Sequence, residues 1–237
     1  MIKYAETLET GILLKRYKRF LSDIRLDSGT QIVAHVPNTG SMLSTRDPGS
    51  RVAVSYHPDP KRKLKWTLEL VESSGSWVGV NTAFSNRIVE AAVLQHLIPE
   101  LDGYDTLRRE VKYGSGSRID LLLESSGRKC YVEVKNVTYR HADAALFPDA
   151  VTVRGTRHLR ELCNMVKEGH AAVMFFLVNR DDCRFMAPAT EIDPTYSQTL
   201  VAASAAGVQL MAYAVHHTLQ GCNIDRPIPV RLPSMID

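Results

Sequence analysis

The chain has 237 residues, 44% of them hydrophobic and 23% charged, proportions of an ordinary globular protein that exclude a disordered or fibrous chain. Its formal charge of +3 is unevenly placed: residues 1–80 hold 12 Lys and Arg against 8 Asp and Glu, and the remainder holds 17 against 18. The longest strongly apolar run, residues 171–178, is too short to cross a bilayer, and residues 1–9 lack the apolar stretch of a signal peptide, so a cytoplasmic protein is expected.

From residue 11 to about 82 the pattern is short strands and turns, with candidate strands at 11–16, 20–26, 31–35, 51–56, 65–71 and 77–80. Leu26-Asp27-Ser28-Gly29-Thr30 reads as a tight hairpin connection. Residues 37–41 and 57–60 are loops rich in Pro, Asn, Asp and Gly. Several short strands in so few residues predict a small all-β barrel, for which the oligonucleotide-binding (OB) fold is the natural candidate. After Asn81 the period changes. Ile88, Val89, Ala92, Val93 and Leu97 recur at helical spacing, with Ser85 or Asn86 as the expected cap. Strands at 117–124 and 129–137 form a hairpin, a helix follows at about 156–167, and 171–178 is an apolar strand of the kind buried on both faces. A helix at about 194–206 and a strand at 208–215 precede a polar tail. Helix, hairpin, helix, strand, helix, strand describes an α/β sandwich. The four cysteines, Cys130, Cys163, Cys183 and Cys222, include no close pair of the kind that clamps zinc, and a reducing compartment is expected.

The 117–137 hairpin carries the candidate chemistry. A turn centred on Ser126-Gly127 pairs residues whose numbers sum to 253, setting Asp120 opposite Glu133, and opposed residues have Cβ atoms roughly 4.5–5.5 Å apart. Glu133 and Lys135 share one face by the two-residue period, while Val132 and Val134 face the other way. Two carboxylates so close repel unless a cation stands between them. Mg2+ or Mn2+ would resolve that repulsion and could polarise a phosphodiester, with Lys135 beside the reacting phosphate. Against this stands the commoner reading of a wet sheet face on which Lys135 simply pairs with Glu133. Glu90, on the preceding helix, is either a third acid of the metal site or an edge residue paired with Arg87.

Two basic runs lie in the strand-rich half. Lys15-Arg16-Tyr17-Lys18-Arg19-Phe20 sets four cations beside two aromatics, the mixture that grips phosphates and stacks bases, with Phe20 expected in the core. Lys61, Arg62, Lys63 and Lys65, followed by Trp66, form the second. A lone run of this kind usually marks a solvated surface, but two in one small module favour nucleic acid. The 37–42 turn is open to two readings, a phosphate cradle or a rigid structural loop. Asp149 is expected as a helix-start acid or near the metal, and His158 as a hydrogen-bonded histidine rather than a general base. No helix-turn-helix or zinc-finger pattern is present, so base-specific readout is not expected.

These motifs resemble the sugar fermentation stimulation protein A family. The resemblance is carried by residues 15–21, 37–42, 60–64 and 117–120, by Tyr131-Val132-Glu133-Val134-Lys135-Asn136-Val137-Thr138, by Phe147-Pro148-Asp149-Ala150-Val151-Thr152, and by Arg154-Gly155, His158-Leu159 and Glu191-Ile192-Asp193-Pro194. It implies an OB-fold-like nucleic-acid-binding domain at 1–81 and a restriction-endonuclease-like, PD-(D/E)XK-type domain at 82–237. It puts Asp120, Glu133 and Lys135 at the nuclease positions, with Glu90 as the helix-borne acid. Ile119 stands where the broad nuclease pattern has proline. The expected partner is DNA without strong sequence specificity, bound either by a metal-dependent nuclease or by a non-catalytic regulator linked to sugar catabolism. No membrane is expected, and a homodimer is left open.

Overall fold

Chain entry and exit meet on one sheet. In the computed structural model, which describes residues 1–114 and 116–233, strand β1 (Ile2–Lys3) pairs with the last strand of the chain through Ile2–Cys222 and Lys3–Gly221. The extreme N-terminus therefore belongs to the second sheet, not to the barrel.

The barrel follows: β2 (Leu8–Tyr17), β3 (Leu21–Leu26), β4 (Gln31–His35), β5 (Arg51–Tyr56), β6 (Trp66–Ser73) and β7 (Ser76–Gly79). They lie in the order β4-β3-β2-β5-β6-β7, and a parallel pairing of Ala34 and His35 with Trp66 and Thr67 joins β4 to β6 and closes the cylinder. Alternate residues such as Leu13, Ile24, Val52, Val54 and Leu68 fill its interior, as the two-residue period of strands requires. This is the OB-like closed barrel expected from the strand spacing. Phe20, expected inside, is 48% exposed. Lys18 and Arg19 both turn through positive φ between β2 and β3, leaving Phe20 on the rim of the hairpin.

The second half begins with α1 (Thr82–Leu94) and runs through β8 (Thr106–Tyr113), β9 (Ser117–Ser125), β10 (Arg128–Val137), β11 (Tyr139–His141), β12 (Ala144–Phe147) and α2 (Val153–Lys167). It continues with β13 (Ala171–Val178), β14 (Phe185–Pro188), α3 (Pro194–Ala205), β15 (Gln209–Thr218) and β16 (Gly221–Pro227). The main sheet has the order β1-β16-β15-β13-β10-β9-β8. One face packs Ile88, Val89 and Ala92 of α1 on Leu121, Val132 and Phe175; the other packs Leu159, Leu162 and Leu200 of α2 and α3 on Leu122, Met174 and Phe176. Cover on both faces accounts for the unbroken apolar sequence of β13. The expected polar tail is in part a strand, because β16 pairs antiparallel with β15. No helix among the described residues is long and apolar enough to cross a membrane.

Helix α1 starts earlier than its apolar period suggests. Asn81 caps it, accepting the Ala83 N–H at 3.1 Å while its own amide donates to Glu69. Ser85 and Asn86, candidates for the cap, thereby lie inside the helix.

Several polar contacts lock barrel to sheet. Gly79 N–H donates to the Asn179 carbonyl at 2.9 Å, and Thr82 Oγ1 donates to the Pro37 carbonyl at 2.6 Å. Fully buried Arg180 forks onto Asp182, donates to the Thr138 carbonyl at 3.0 Å, and reaches Ser44 Oγ of the barrel at 3.4 Å. Removing one partner of a buried ion pair leaves the other charge stranded. Arg180→Ala is expected to lower unfolding free energy by about 3–5 kcal/mol in urea denaturation, and a loss within error of zero would show that this junction is not held by Arg180.

Candidate metal and nucleic-acid site

The ladder between β9 and β10 has the register read from the sequence: Ser125–Arg128, Glu124–Lys129, Leu123–Cys130, Leu122–Tyr131 and Leu121–Val132. There it stops. The next residue of β9, Asp120, does not continue the backbone pairing; its Oδ2 accepts the Val134 N–H at 2.8 Å. Its Oδ1 accepts from Asn86 Nδ2 at 2.8 Å, so α1 and both strands converge on one carboxylate.

Glu133 is 2% exposed. Its Oε1 accepts from Lys135 Nζ at 2.5 Å and from His158 Nδ1. Arg154 Nε donates to His158 Nε2 at 3.3 Å; an arginine only donates, so the His158 proton lies on Nδ1 and faces Glu133. The other oxygen, Glu133 Oε2, is buried and has no hydrogen-bond partner among the described residues. Burial opposes the charge on Glu133, but the His158 hydrogen bond and the Lys135 ammonium together hold its carboxyl below the ordinary value. Asp120 behaves oppositely: burial, then repulsion from Glu133, push its carboxyl up to about 6 despite the Val134 and Asn86 bonds.

These groups open into a cavity of about 400 Å3 at the C-terminal end of β10, where parallel α/β sheets characteristically receive ligands. The barrel supplies part of its wall through Asn38, Thr39 and Gly40. Asn38 Oδ1 accepts the Gly40 N–H at 2.9 Å, and Asp149 Oδ2 accepts the Met42 N–H at 2.7 Å. Asp149 is therefore a clasp between the halves; Thr152 caps α2 in its place. Gly40 is required by space, since a Cβ there would lie 2.7 Å from Asp149 Oδ1.

Asp120, Glu133 and Lys135 are thus gathered in one cavity. Glu90 is not: one turn beyond Asn86, it pairs with Arg109 of β8 at 3.2 Å. The helix-borne group at the cavity is Asn86, an amide in place of the expected acid. Asn86, Ser85 and Asn136, which line the cavity with Arg154, carry no site signal in the sequence motifs; the helical period, which places positions 86 and 90 on one stripe, is the signal that reaches Asn86. Among the described residues no three His, Cys, Asp or Glu side chains gather as a metal-holding group.

The two basic runs separate in space. Lys15 stands over the Tyr17 ring at 5.9 Å, Tyr17 donates to Asp23, and Lys18 and Arg19 are exposed on the β2–β3 turn. Arg16 is half-buried and committed to backbone carbonyls of Arg19, Asn38 and Gly40 at 2.7–3.0 Å. It ties the 37–42 loop to the end of β2. The other run borders a different cavity, where Arg62 lies with His35, His57, Glu69 and Arg87. There Arg62 donates to Thr67, Lys65 to the Asp59 carbonyl, and Trp66 packs on Tyr56, while Lys61 and Lys63 belong to the same loop.

Comparison with known proteins fits this two-part architecture. A family model described as "SfsA N-terminal OB domain" matches residues 14–80, and one described as "Sugar fermentation stimulation protein RE domain" matches residues 83–221. The chain belongs to the sugar fermentation stimulation protein family. A homologue from Paramagnetospirillum magneticum is 50% identical over 99% of this chain and 100% of its own length, and one from Geotalea uraniireducens is 51% identical over 93% and 95%. The solved structure of Pyrococcus furiosus SfsA in complex with Ca2+ superposes with a TM-score of 0.88 at 28% identity, covering 98% of both chains. The family fold is therefore an OB-like barrel joined to a PD-(D/E)XK-like sheet.

The raised carboxyl of Asp120 gives a signed pH dependence. Because its folded value lies above its unfolded one, its contribution favours the fold below about pH 4 and is lost as pH rises through about 6. Asp120→Asn removes the titration, and Asn86 can turn its amide to keep the contact. In EDTA, the variant is expected to gain stability over the wild type by up to about 3 kcal/mol between pH 4 and pH 8. Urea unfolding at both pH values measures this, and a pH-independent difference would refute the raised carboxyl of Asp120.

Proposed function

We propose that this protein binds DNA without strong sequence preference and uses the nuclease-type fold as its scaffold. One observation carries the reading: the barrel's 37–42 loop, held by Arg16, forms the wall of the cavity that contains Asp120, Glu133 and Lys135. A polyanion drawn to the positive barrel is thereby laid across the end of the second sheet. The acids of that cavity are largely compensated from within, Asp120 by Asn86 and the Val134 N–H, Glu133 by Lys135 and His158. Those bonds hold the shape of the cavity, and Lys135 and Arg154 offset two of its three carboxylates. A regulatory role in sugar catabolism is the part of this proposal that rests on the family's name.

A second reading, phosphodiester hydrolysis, is favoured by the partnerless Glu133 Oε2. A buried carboxylate oxygen without a donor, beside a second carboxylate resisting ionisation, suits a hard divalent cation, and oxygen donors match Mg2+, Mn2+ or Ca2+. Asp120 and Glu133 would hold it. Bound there, such an ion polarises phosphoryl oxygens and lowers the pKa of coordinated water. Lys135 would stand by the charge developing on phosphorus, and His158, steadied by Arg154, would fix the orientation of Glu133. The Ca2+ in the Pyrococcus furiosus relative supports cation binding within this fold.

Labelled single- and double-stranded DNA separates the readings. The expectation is binding whose logarithm falls linearly with the logarithm of salt concentration, with no cleavage in Mg2+, Mn2+ or Ca2+. Cleavage abolished by both Asp120→Ala and Lys135→Ala would instead establish the hydrolytic reading. Absence of binding at low salt would defeat the DNA-binding proposal itself. Independently of activity, Mn2+ is expected to raise the melting temperature of the wild type and not of Asp120→Asn, since a ligand held only by the folded state stabilises it.

A further inference from the structure

Beside the acid cavity lies a second one, of about 510 Å3, that shares Thr39, Gly40, Phe147 and Asp149 with it but is lined by cations. Arg16 from the end of β2, Arg19 from the β2–β3 turn and Arg46 from the β4–β5 loop come to it, and residues 148–152 close it from the second domain. Arg16 Nη1 and Arg46 Nη1 both approach the Ser41 carbonyl, at 3.4 and 3.2 Å, so two guanidinium groups converge on one oxygen. Among the described residues none of the three arginines has a carboxylate within ion-pair distance. Asp149, the acid at this wall, already accepts the Met42 N–H. Arg16 Nε is buried and unpartnered among the described residues. Thr152, the cap of α2, lines the same space and brings the positive end of a helix of four turns to its edge.

Three guanidinium groups around a void that holds one carboxylate, Asp149, leave a positive excess that calls for an anion. We propose that the Arg16–Arg19–Arg46 cavity is a phosphate subsite that seats one phosphodiester of the nucleic-acid backbone next to the acid cavity. This inference rests on the DNA-binding reading and sharpens it. Nucleic acid runs through the junction between barrel and sheet, past Gly40, and Arg46 becomes a contact that the basic runs of the sequence do not contain. Arg16 orders the loop while adding to the local field; the exposed Arg19 and Arg46 supply the donors for the phosphate oxygens. Burial, then repulsion from Arg46 and to a lesser degree Arg19, holds the Arg16 guanidinium below its ordinary value against the attraction of Asp149.

The test is fluorescence anisotropy of a labelled duplex and its single strand across roughly 50–200 mM KCl in EDTA, with the full-length chain. Arg46→Gln and Arg19→Gln are compared with Lys167→Gln, which removes one exposed charge at the far end of α2. Each arginine variant is expected to weaken binding on the order of tenfold and to lower the salt slope by about one, with Lys167→Gln unchanged. Arginine variants that bind like the wild type, or a Lys167→Gln loss of equal size, overturn the subsite while leaving the DNA-binding reading standing. If the wild type binds neither DNA, that reading falls and inorganic phosphate decides the subsite. A rise in melting temperature over chloride at equal ionic strength, lost in Arg46→Gln, upholds it as an anion site; no rise overturns it.

Discussion

A side chain accepts a hydrogen bond where two strands part, and the site is arranged around that exchange. Past the Leu121–Val132 pair, β9 no longer pairs its backbone with β10, and the Val134 N–H needs another acceptor in a sheet buried on both faces. Asp120 Oδ2 provides it. The carboxylate is thus fixed by the backbone, not by rotamer preference alone, and the parting strands open the cavity into which Glu133 and Lys135 project. The same bond ties Asp120 to a buried position beside Glu133, which is why its carboxyl resists ionisation. A structural requirement of the sheet and the chemical character of the site have a single origin.

The second constraint is the rigidity of the junction. A flexibly tethered barrel would leave the acid cavity open on one side, whereas here Asn38, Thr39 and Gly40 complete its wall. Three separate contacts fix that placement: Asp149 on the Met42 N–H, Thr82 on the Pro37 carbonyl, and Arg180 reaching Ser44. Each ties a barrel loop to an element that also borders or flanks the site. Gly40 shows how tight the approach is, since no larger residue leaves room for the Asp149 carboxylate. The pairing of β1 with β16 returns the chain's start to the same sheet.

Local patterns carried the strands at 31–35, 51–56 and 171–178 and the hairpin register, because alternating burial and a two-residue turn are written directly in residue order. Charged edges were hidden. β8 carries Arg108, Arg109, Glu110 and Lys112, and the end of β16 beyond its two pairs with β1 carries Asp225, Arg226 and Pro227, charges and a proline of the kind that keep open sheet edges from pairing further. Glu90 is an edge acid with an arginine partner, but the partner is Arg109 of β8 and not Arg87 of its own helix, and a charged edge strand gives no apolar period from which to read that contact. Arg16 was obscured for another reason. Its partners are backbone carbonyls of a loop more than twenty residues away in sequence, and carbonyls leave no mark in a sequence.

Charge compensation finally separates what holds the site from what it can receive. Within the acid cavity Lys135, His158 and Asn86 are spent on Glu133 and Asp120, leaving Glu133 Oε2 without a partner among the described residues. In the neighbouring cavity the imbalance is reversed, with guanidinium groups in excess and Asp149 occupied by a backbone N–H. Two adjacent chambers of opposite sign, divided by Gly40 and Asp149, suit a ligand that itself alternates: phosphate oxygens for the arginines, and for the acids a cation that phosphate can bring with it. A neutral small molecule would satisfy neither chamber. The barrel holds one wall of both chambers through Thr39 and Gly40.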